Sequence, residues 1–168
     1  MVIRKANDTD IQNIAELYIL NWKTTYIGLL SEQYLNNIDI CYGVKKWSDF
    51  LKKENHNIFV AYDEQNHFLG FLAYKPDNEI KQCLYVDSLH VLQKSRGKGV
   101  GTKLLQYIFQ YAIDRKYNNI SICIVKGNDN ARKLYTKLGA VHYKDFIDDF
   151  DGTKSNSEKL IWYDLNCF

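Results

Sequence analysis

The chain is poor in the residues that staple, anchor or interrupt a structure. Its four cysteines, Cys41, Cys83, Cys123 and Cys167, stand far apart, with no C-x-x-C and no paired histidine spacing. That argues against a zinc or other metal site and against a disulfide framework, and points to a reduced, cytoplasmic protein. Proline occurs once, at Pro76. No apolar run approaches the ~20 residues of a membrane span, and Met1-Val2-Ile3-Arg4-Lys5 lacks the apolar core of a signal peptide. Charge of one sign is also missing. The net charge of +2 is too small for a broad nucleic-acid footprint. There is no repeat, low-complexity segment or linker. What remains has the content of a folded globule, 168 residues with 46% hydrophobic and 14% aromatic side chains, and one domain over 1–168 is the expectation.

The hydrophobic periodicity alternates between strand and helix. Residues 2–5 read as a first strand. Thr9-x-x-Gln12 matches a capping box, and Ile11, Ile14, Ala15, Tyr18 and Trp22 then line one helix face. Ser31 is placed to cap a short second helix, and Val44 to Lys53 reads as a third. Asn57 to Tyr62, His67 to Tyr74 and Lys81 to Val91 form an antiparallel meander, closed near Pro76. A helix from Val100 to about Lys116 leads to a buried strand at Ile120–Val125, expected to be parallel to its predecessor because a crossover helix joins them. Asn128 or Asn130 caps the next helix, with Ala131, Leu134, Tyr135 and Leu138 on its face and Gly139 at its end. Val141 to Phe146 and Leu160 to Leu165 read as closing strands around an acidic turn holding Asp145, Asp148, Asp149 and Asp151.

The most informative stretch joins the meander to the crossover helix. An apolar strand ending Leu89-His90-Val91 runs into Arg96-Gly97-Lys98-Gly99-Val100-Gly101-Thr102 and then a helix. Glycines let main-chain N–H groups converge on an anion, and the first helical N–H groups lack internal partners and carry the positive end of the dipole. Arg96 and Lys98 add full charges, and an arginine grips phosphate bidentately. The dinucleotide fingerprint fails, because Thr102 stands where its last glycine belongs, and the nucleotide P-loop fails for want of its lysine.

Arg-x-x-Gly-x-Gly, read as Arg96, Gly99 and Gly101, does fit, and it resembles the acyl-CoA-binding loop of the GNAT N-acetyltransferase superfamily. Asn128-x-x-Ala131-x-x-x-Tyr135-x-Lys137-Leu138-Gly139-Ala140 resembles the second signature of that family, in the right order and about thirty residues on. The likeness covers roughly 57 to 146 and is looser before that. It implies an α/β (α+β) fold, with a mixed, mostly antiparallel sheet of about six to seven strands, splayed after the central strand and flanked by helices. It implies acetyl-CoA as acyl donor, with the pantetheine arm on main-chain groups of Leu89, His90 and Val91 and the pyrophosphate on residues 96 to 102. Asn128, Asn130 and Lys133 would lie along the arm and nucleotide. No metal is implied.

Acyl transfer from a thioester mainly requires alignment with an amine. The amine must also be neutral. A lysine-like amine with pKa ~10.4 lies ~3.4 units above neutrality, a deficit of about 4.6 kcal/mol. A carboxylate or a water chain supplies the remedy, and Asp87 is the candidate base. Some family members carry an acid at this place, others two residues earlier, where this chain has Tyr85. A main-chain N–H near Leu89 would meet the developing oxyanion. Tyr135 stands at the family's general-acid position. Trp22, Thr25 and Tyr26 are candidates to line the acceptor pocket, although core packing is the plainer reading of these aromatics. His56, His67, His90 and His142 read as structural or exposed. Strict alternation puts His90 on the face opposite Asp87. The acidic turn reads first as solvated, and second as a guide for a cationic acceptor. The acceptor is expected to be a small-molecule or peptide amine, with no nucleic acid or membrane partner, and a homodimer is the commonest default. No cysteine lies in either signature, so a covalent acyl-cysteine route has no support. The rival readings are a non-catalytic acyl-CoA-binding module and a nucleotide-binding protein unrelated to CoA.

Overall fold

The computed structural model describes residues 1–150 and 152–167. Strand β1 (Val2–Lys5) is followed by helices α1 (Ile11–Thr25), α2 (Glu32–Asn37) and α3 (Ile40–Lys52). The meander β2 (Asn57–Tyr62), β3 (Phe68–Pro76) and β4 (Cys83–Val91) leads to α4 (Val100–Asp114) and β5 (Asn119–Val125). Helix α5 (Asp129–Lys137) and the hairpin β6 (Val141–Phe150) and β7 (Thr153–Trp162) complete the chain. Seven strands form one sheet in the order β1-β2-β3-β4-β5-β7-β6, antiparallel throughout except for β4 with β5. One core packs Leu104, Leu105, Ile108 and Phe109 of α4 against the sheet. The other packs Ile14, Tyr18 and Trp47 of α1 and α3 against β2 and β3.

Side-chain caps set the entry to α1 and the starts of α2, α3 and α5, and two differ from the expectation. The capping box is Asn7 with Asp10, not Thr9 with Gln12, because Asp10 is buried and claimed from three sides. Arg4 donates to it at 2.7 and 2.8 Å, the Tyr62 hydroxyl at 2.7 Å and the Asn7 N–H at 2.8 Å. This ties β1 and β2 to the entry of α1. Helix α3 begins four residues before Val44, since the Asp39 carboxylate accepts the Tyr42 N–H at 2.8 Å and opens an earlier turn. Ser31 caps α2 and Asn128 caps α5.

The closing hairpin also departs from the expectation. β6 runs on to Phe150 and β7 begins at Thr153, so Asp145, Asp148 and Asp149 are strand residues. Asp151 lies outside the described residues. β6 is the edge of the sheet, where charged side chains guard an unpaired ladder. A polar edge strand is therefore easily read as a turn.

Two features of β4 shape the site. First, Ala73 pairs with Ser88 but Tyr74 with Val86, so Asp87 is the extra residue of a β-bulge. Second, β4 pairs with β5 only over Cys83–Val86 against Asn119–Ile122, and beyond that the strands part. The β3 side stays closed. A Cβ on Gly70 would lie 2.5 Å from the His90 carbonyl oxygen, so only glycine lets β3 approach there.

The closed end of the sheet is clamped by ions. The Lys159 ammonium, 6% exposed, meets Asp77 at 2.7 Å and Glu79 at 3.0 Å. Ser121 also donates to Asp77, and Lys144 to Glu79. Burial alone would raise the Asp77 carboxyl, but Lys159, Ser121 and the Glu79 N–H outweigh it and hold it below its ordinary 3.8. A lowered carboxyl contributes stability that is full above its ordinary value and lost as pH falls through the lowered one. Lys159 is shifted the other way, above 10.5, so its contribution persists until strongly alkaline pH. Breaking a buried pair leaves an uncompensated charge, so Lys159→Met is expected to cost about 3 kcal/mol at neutral pH. Because Asp77 then loses its main partner, the variant's stability should also fall less between neutral and acid pH than the wild type's. Urea unfolding across that range checks both, and equal stability at pH 7 would refute the clamp.

Candidate active site

Where β4 and β5 part, a cavity of about 720 Å³ opens, reaching from the glycine turn to the tip of the last hairpin. Leu89 to Val91, Arg96, Gly97 and Gly99 to Thr102 line it, together with Asn128, Asn130, Ala131, Leu134 and Tyr135. Trp22, Thr25, Tyr26, Tyr85, Asp87, Asp148, Phe150 and Ser157 line the rest. Nearly all the residues singled out from sequence therefore meet in one place. Lys98 and Lys133 do not. Both are exposed, and neither lines the cavity.

The backbone of β4 is available to a ligand. Leu92 N–H donates to Leu69 C=O at 2.9 Å. Hydrogen-bonded pairs alternate along an antiparallel ladder, so Ser88, His90 and Leu92 turn their main-chain groups toward β3. Leu89 and Val91 turn theirs into the gap. The turn that follows places Gly97 and Gly99 at φ 73° and 79°, a region open to glycine at little cost. Gly99 caps α4 without any side-chain hydrogen bond, so the first-turn N–H groups of that helix have no side-chain partner.

Arg96 does not point freely from this turn. Its guanidinium donates to Asn21 Oδ1 at 2.8 Å and to the Val91 carbonyl at 3.3 Å. Asn21 Nδ2 lies 3.3 Å from both that carbonyl and His90 Nδ1. The His90 ring packs against Tyr18 and Phe71 at 5.5 and 5.3 Å. Burial, reinforced by the Arg96 and Lys46 charges, pushes its pKa down to about 3. It is neutral, and with the Asn21 amide donating to Nδ1, its proton is assigned to Nε2.

Asp87 and His90 both border the cavity, against the expectation that they face apart. The bulge adds one residue between them and breaks the alternation. Asp87 is paired with Lys75 at 3.2 Å, and the Ser88 hydroxyl lies 3.4 Å from it. Tyr135 is 5% exposed and edge-on to Trp162 at 5.8 Å. Burial and then the nearby Tyr26 raise its hydroxyl above the ordinary phenol value. Burial likewise raises Tyr26, less so because Asn128 hydrogen-bonds it. Burial pushes the Cys123 thiol up to about 11, far from the thiolate a nucleophile needs.

At the other end of the cavity, the Trp22 ring lies tilted at 4.7 Å from Tyr26 and edge-on at 5.3 Å from Phe150. Phe150 also meets Tyr34, and Ser31 meets Thr153 at 3.0 Å, so the hairpin tip leans on α1 and α2. Of the acids expected in a turn, Asp148 alone among the described residues lines the cavity. Asp145 is held by Lys126, and Asp149 accepts the Gly152 N–H. Asn21, Phe150 and Ser157 were not singled out from sequence. Only Asn21 left a signal, as a polar residue in line with Ile14 and Tyr18 on the buried face of α1.

Residues 14–140 match the acetyltransferase (GNAT) family. Among similar proteins is YuaI of Bacillus subtilis, an uncharacterised N-acetyltransferase, 24% identical over 132 residues, spanning 76% of this chain and 73% of that one. Among solved structures, a ribosomal-protein-alanine N-acetyltransferase from Brucella melitensis superposes with a TM-score of 0.73 at 18% identity, covering 97% of this chain and 99% of that one. A variant of spermidine N-acetyltransferase SpeG from Vibrio cholerae gives 0.72 at 15%, covering 97% and 95%. These two share the fold while their names specify different amines, so the fold does not choose the acceptor. The family match spans most of the chain, including β4, the glycine turn, α4 and α5, and on that ground the protein belongs to the GNAT family of acetyltransferases.

Proposed function

We propose that residues 1–168 act as one domain that transfers the acetyl group of acetyl-CoA directly to a primary amine, both substrates being bound together. The observation that carries this reading is the cavity itself. It joins the amides at the α4 N-terminus, by way of the Leu89 main chain and the Val91 N–H, to Asp87 and Tyr135. Glycine turn, helix N-terminus and free strand edge suit a long ligand with a diphosphate at one end and amides along its arm. Gly97, Gly99, Val100, Gly101 and Thr102 would hold the diphosphate, and Leu89, Val91 and Asn128 the arm. Acetyl-CoA supplies an activated acyl carbon and a thiolate leaving group.

The chain's own groups meet the remaining demands. Asp87, directly or through water, accepts the ammonium proton and leaves a nucleophilic amine. The Leu89 N–H, turned into the gap, is positioned for a negative oxygen. Tyr135 holds its proton at neutral pH and can give it to the departing sulfur. The high pKa of Cys123 supports direct transfer over an acyl-cysteine route. All four cysteines are unpaired thiols, in keeping with a reducing compartment.

Tyr135→Phe is expected to lower kcat by about 10²-fold, a typical general-acid contribution, with acetyl-CoA affinity little changed. Thiol release and calorimetric titration separate the two, and undiminished kcat would remove Tyr135 from the chemistry. Asp87→Asn should reduce kcat/KM by a comparable factor of about 10²-fold or more, measured across an amine panel. The pH profile offers a third check. With His90 neutral down to about 3 and Tyr135 raised above its ordinary value, neither should produce a limb between about pH 5 and 9. A limb near the ordinary histidine value that disappears in His90→Gln would place the imidazole in the mechanism instead.

A further inference from the structure

Past Asp87 the cavity continues over a part of the sheet that α1 and α3 leave uncovered. Side chains on one face recur at every second residue, and the register carries this face from strand to strand. Cys123 and Val125 of β5 share it with Ser157 of β7, which pairs with Val125 and with Phe146. Asp148 and Phe150 follow at the same period on β6. Two observations here are unexplained by acetyl transfer alone. Ser157 is 1% exposed and borders the cavity, and its hydroxyl has no hydrogen-bond partner among the described residues. Asp148 also borders the cavity. It accepts only the Asp149 N–H and has no ion pair among the described residues. The neighbouring cations are committed elsewhere, Lys75 to Asp87 and Lys144 and Lys159 to the Asp77 and Glu79 clamp.

A buried hydroxyl without a partner is costly, and the half-buried Asp148 carboxylate beside it has no counter-ion among the described residues. They are satisfied together by one group that donates N–H and carries positive charge. Phe150 and Trp22, 5.3 Å apart, add aromatic surface on the same side, which favours a cation further. Resting on the acetyl-transfer reading above, we propose that Asp148 and Ser157 form an acceptor subsite for a second, cationic nitrogen, and that the acceptor is a dibasic amine whose other nitrogen is presented to Asp87. Asp148 accepts from that ammonium by a charge-assisted hydrogen bond, Ser157 Oγ takes another of its N–H groups, and the connecting carbons lie against the aromatic rings.

The test uses the whole chain with acetyl-CoA and three acceptors on the same four-carbon chain, diaminobutane, aminobutanol and butylamine, followed by thiol release. The kcat/KM for the diamine should exceed that for either partner by at least about tenfold, the effect of one charge-assisted hydrogen bond, and most of the gain should appear in KM. In Asp148→Asn the ratio of diamine to monoamine should fall toward one, and in Ser157→Ala by a smaller factor. Thermal unfolding with acetyl-CoA verifies that both variants are folded. If all three amines are acetylated with equal efficiency, or the preference survives in folded Asp148→Asn, the subsite is refuted while acetyl transfer stands. If acetyl-CoA binds and no amine in a wider panel is acetylated, the reading beneath it fails, and this one with it.

Discussion

The parting of β4 from β5 is the constraint on which the rest of the protein turns. A parallel pair is held by slanted hydrogen bonds that normally continue along both strands, and here they stop after Val86 and Ile122. Buried main-chain groups left without partners cost free energy, so the opening persists only because other features support it. The ion clamp of Lys159, Asp77 and Glu79 closes one end of the sheet. The close approach of Gly70 keeps β3 against β4 at the other. At the mouth, Asn21 and Arg96 answer the Val91 carbonyl. The bulge at Asp87 sits at the point of divergence and turns an acid into the space so created.

The Asn21 carboxamide links the two ends of the cavity physically. It lies on α1, one residue before Trp22 and four before Thr25, which also line the cavity. Its oxygen receives Arg96 from the glycine turn, and its nitrogen faces a neutral His90. A low-dielectric setting strengthens such a network while every member is satisfied and penalises the loss of any one. Arg96 therefore has a standing partner on α1. On the proposed reading, a phosphate in the turn would compete with Asn21 for that guanidinium.

The parts of this protein that were readable in the sequence share a common cause: they are built from contiguous backbone. The glycine turn, the strand before it, the helix after it and the cap at Asn128 are each specified within about ten residues, and all took the expected form. What escaped was set by pairing between distant segments. The bulge at Asp87 is a register event against Ala73 and Tyr74, invisible in the run Tyr85-Val86-Asp87-Ser88-Leu89, and it reversed the expected relation of Asp87 to His90. The true capping box depended on Arg4 and Tyr62 making Asp10 a buried hub. The length of the β6–β7 hairpin depended on edge-strand acids that read locally as a turn. Arg96 fell between these cases, correctly placed at the cavity but held by a residue seventy-five positions away.

The same division separates the two halves of the site in kind. The donor half presents main-chain groups, whose chemistry does not change when side chains are exchanged. Glycine at 97 and 99 and the helix start at Val100 suffice to create it. The proposed acceptor half is side chains alone, contributed by α1, by a bulge and by the faces of β6 and β7. Substitution at Asp148, Phe150 or Ser157 alters what the wall attracts while leaving the Leu89 and Val91 main chain and the α4 amides in place. On the proposed reading, a fold organised in this way can keep one acyl donor while the amine changes. It follows that the acceptor must be read from the buried polar groups of the wall and their missing partners, because nothing in the backbone architecture encodes it.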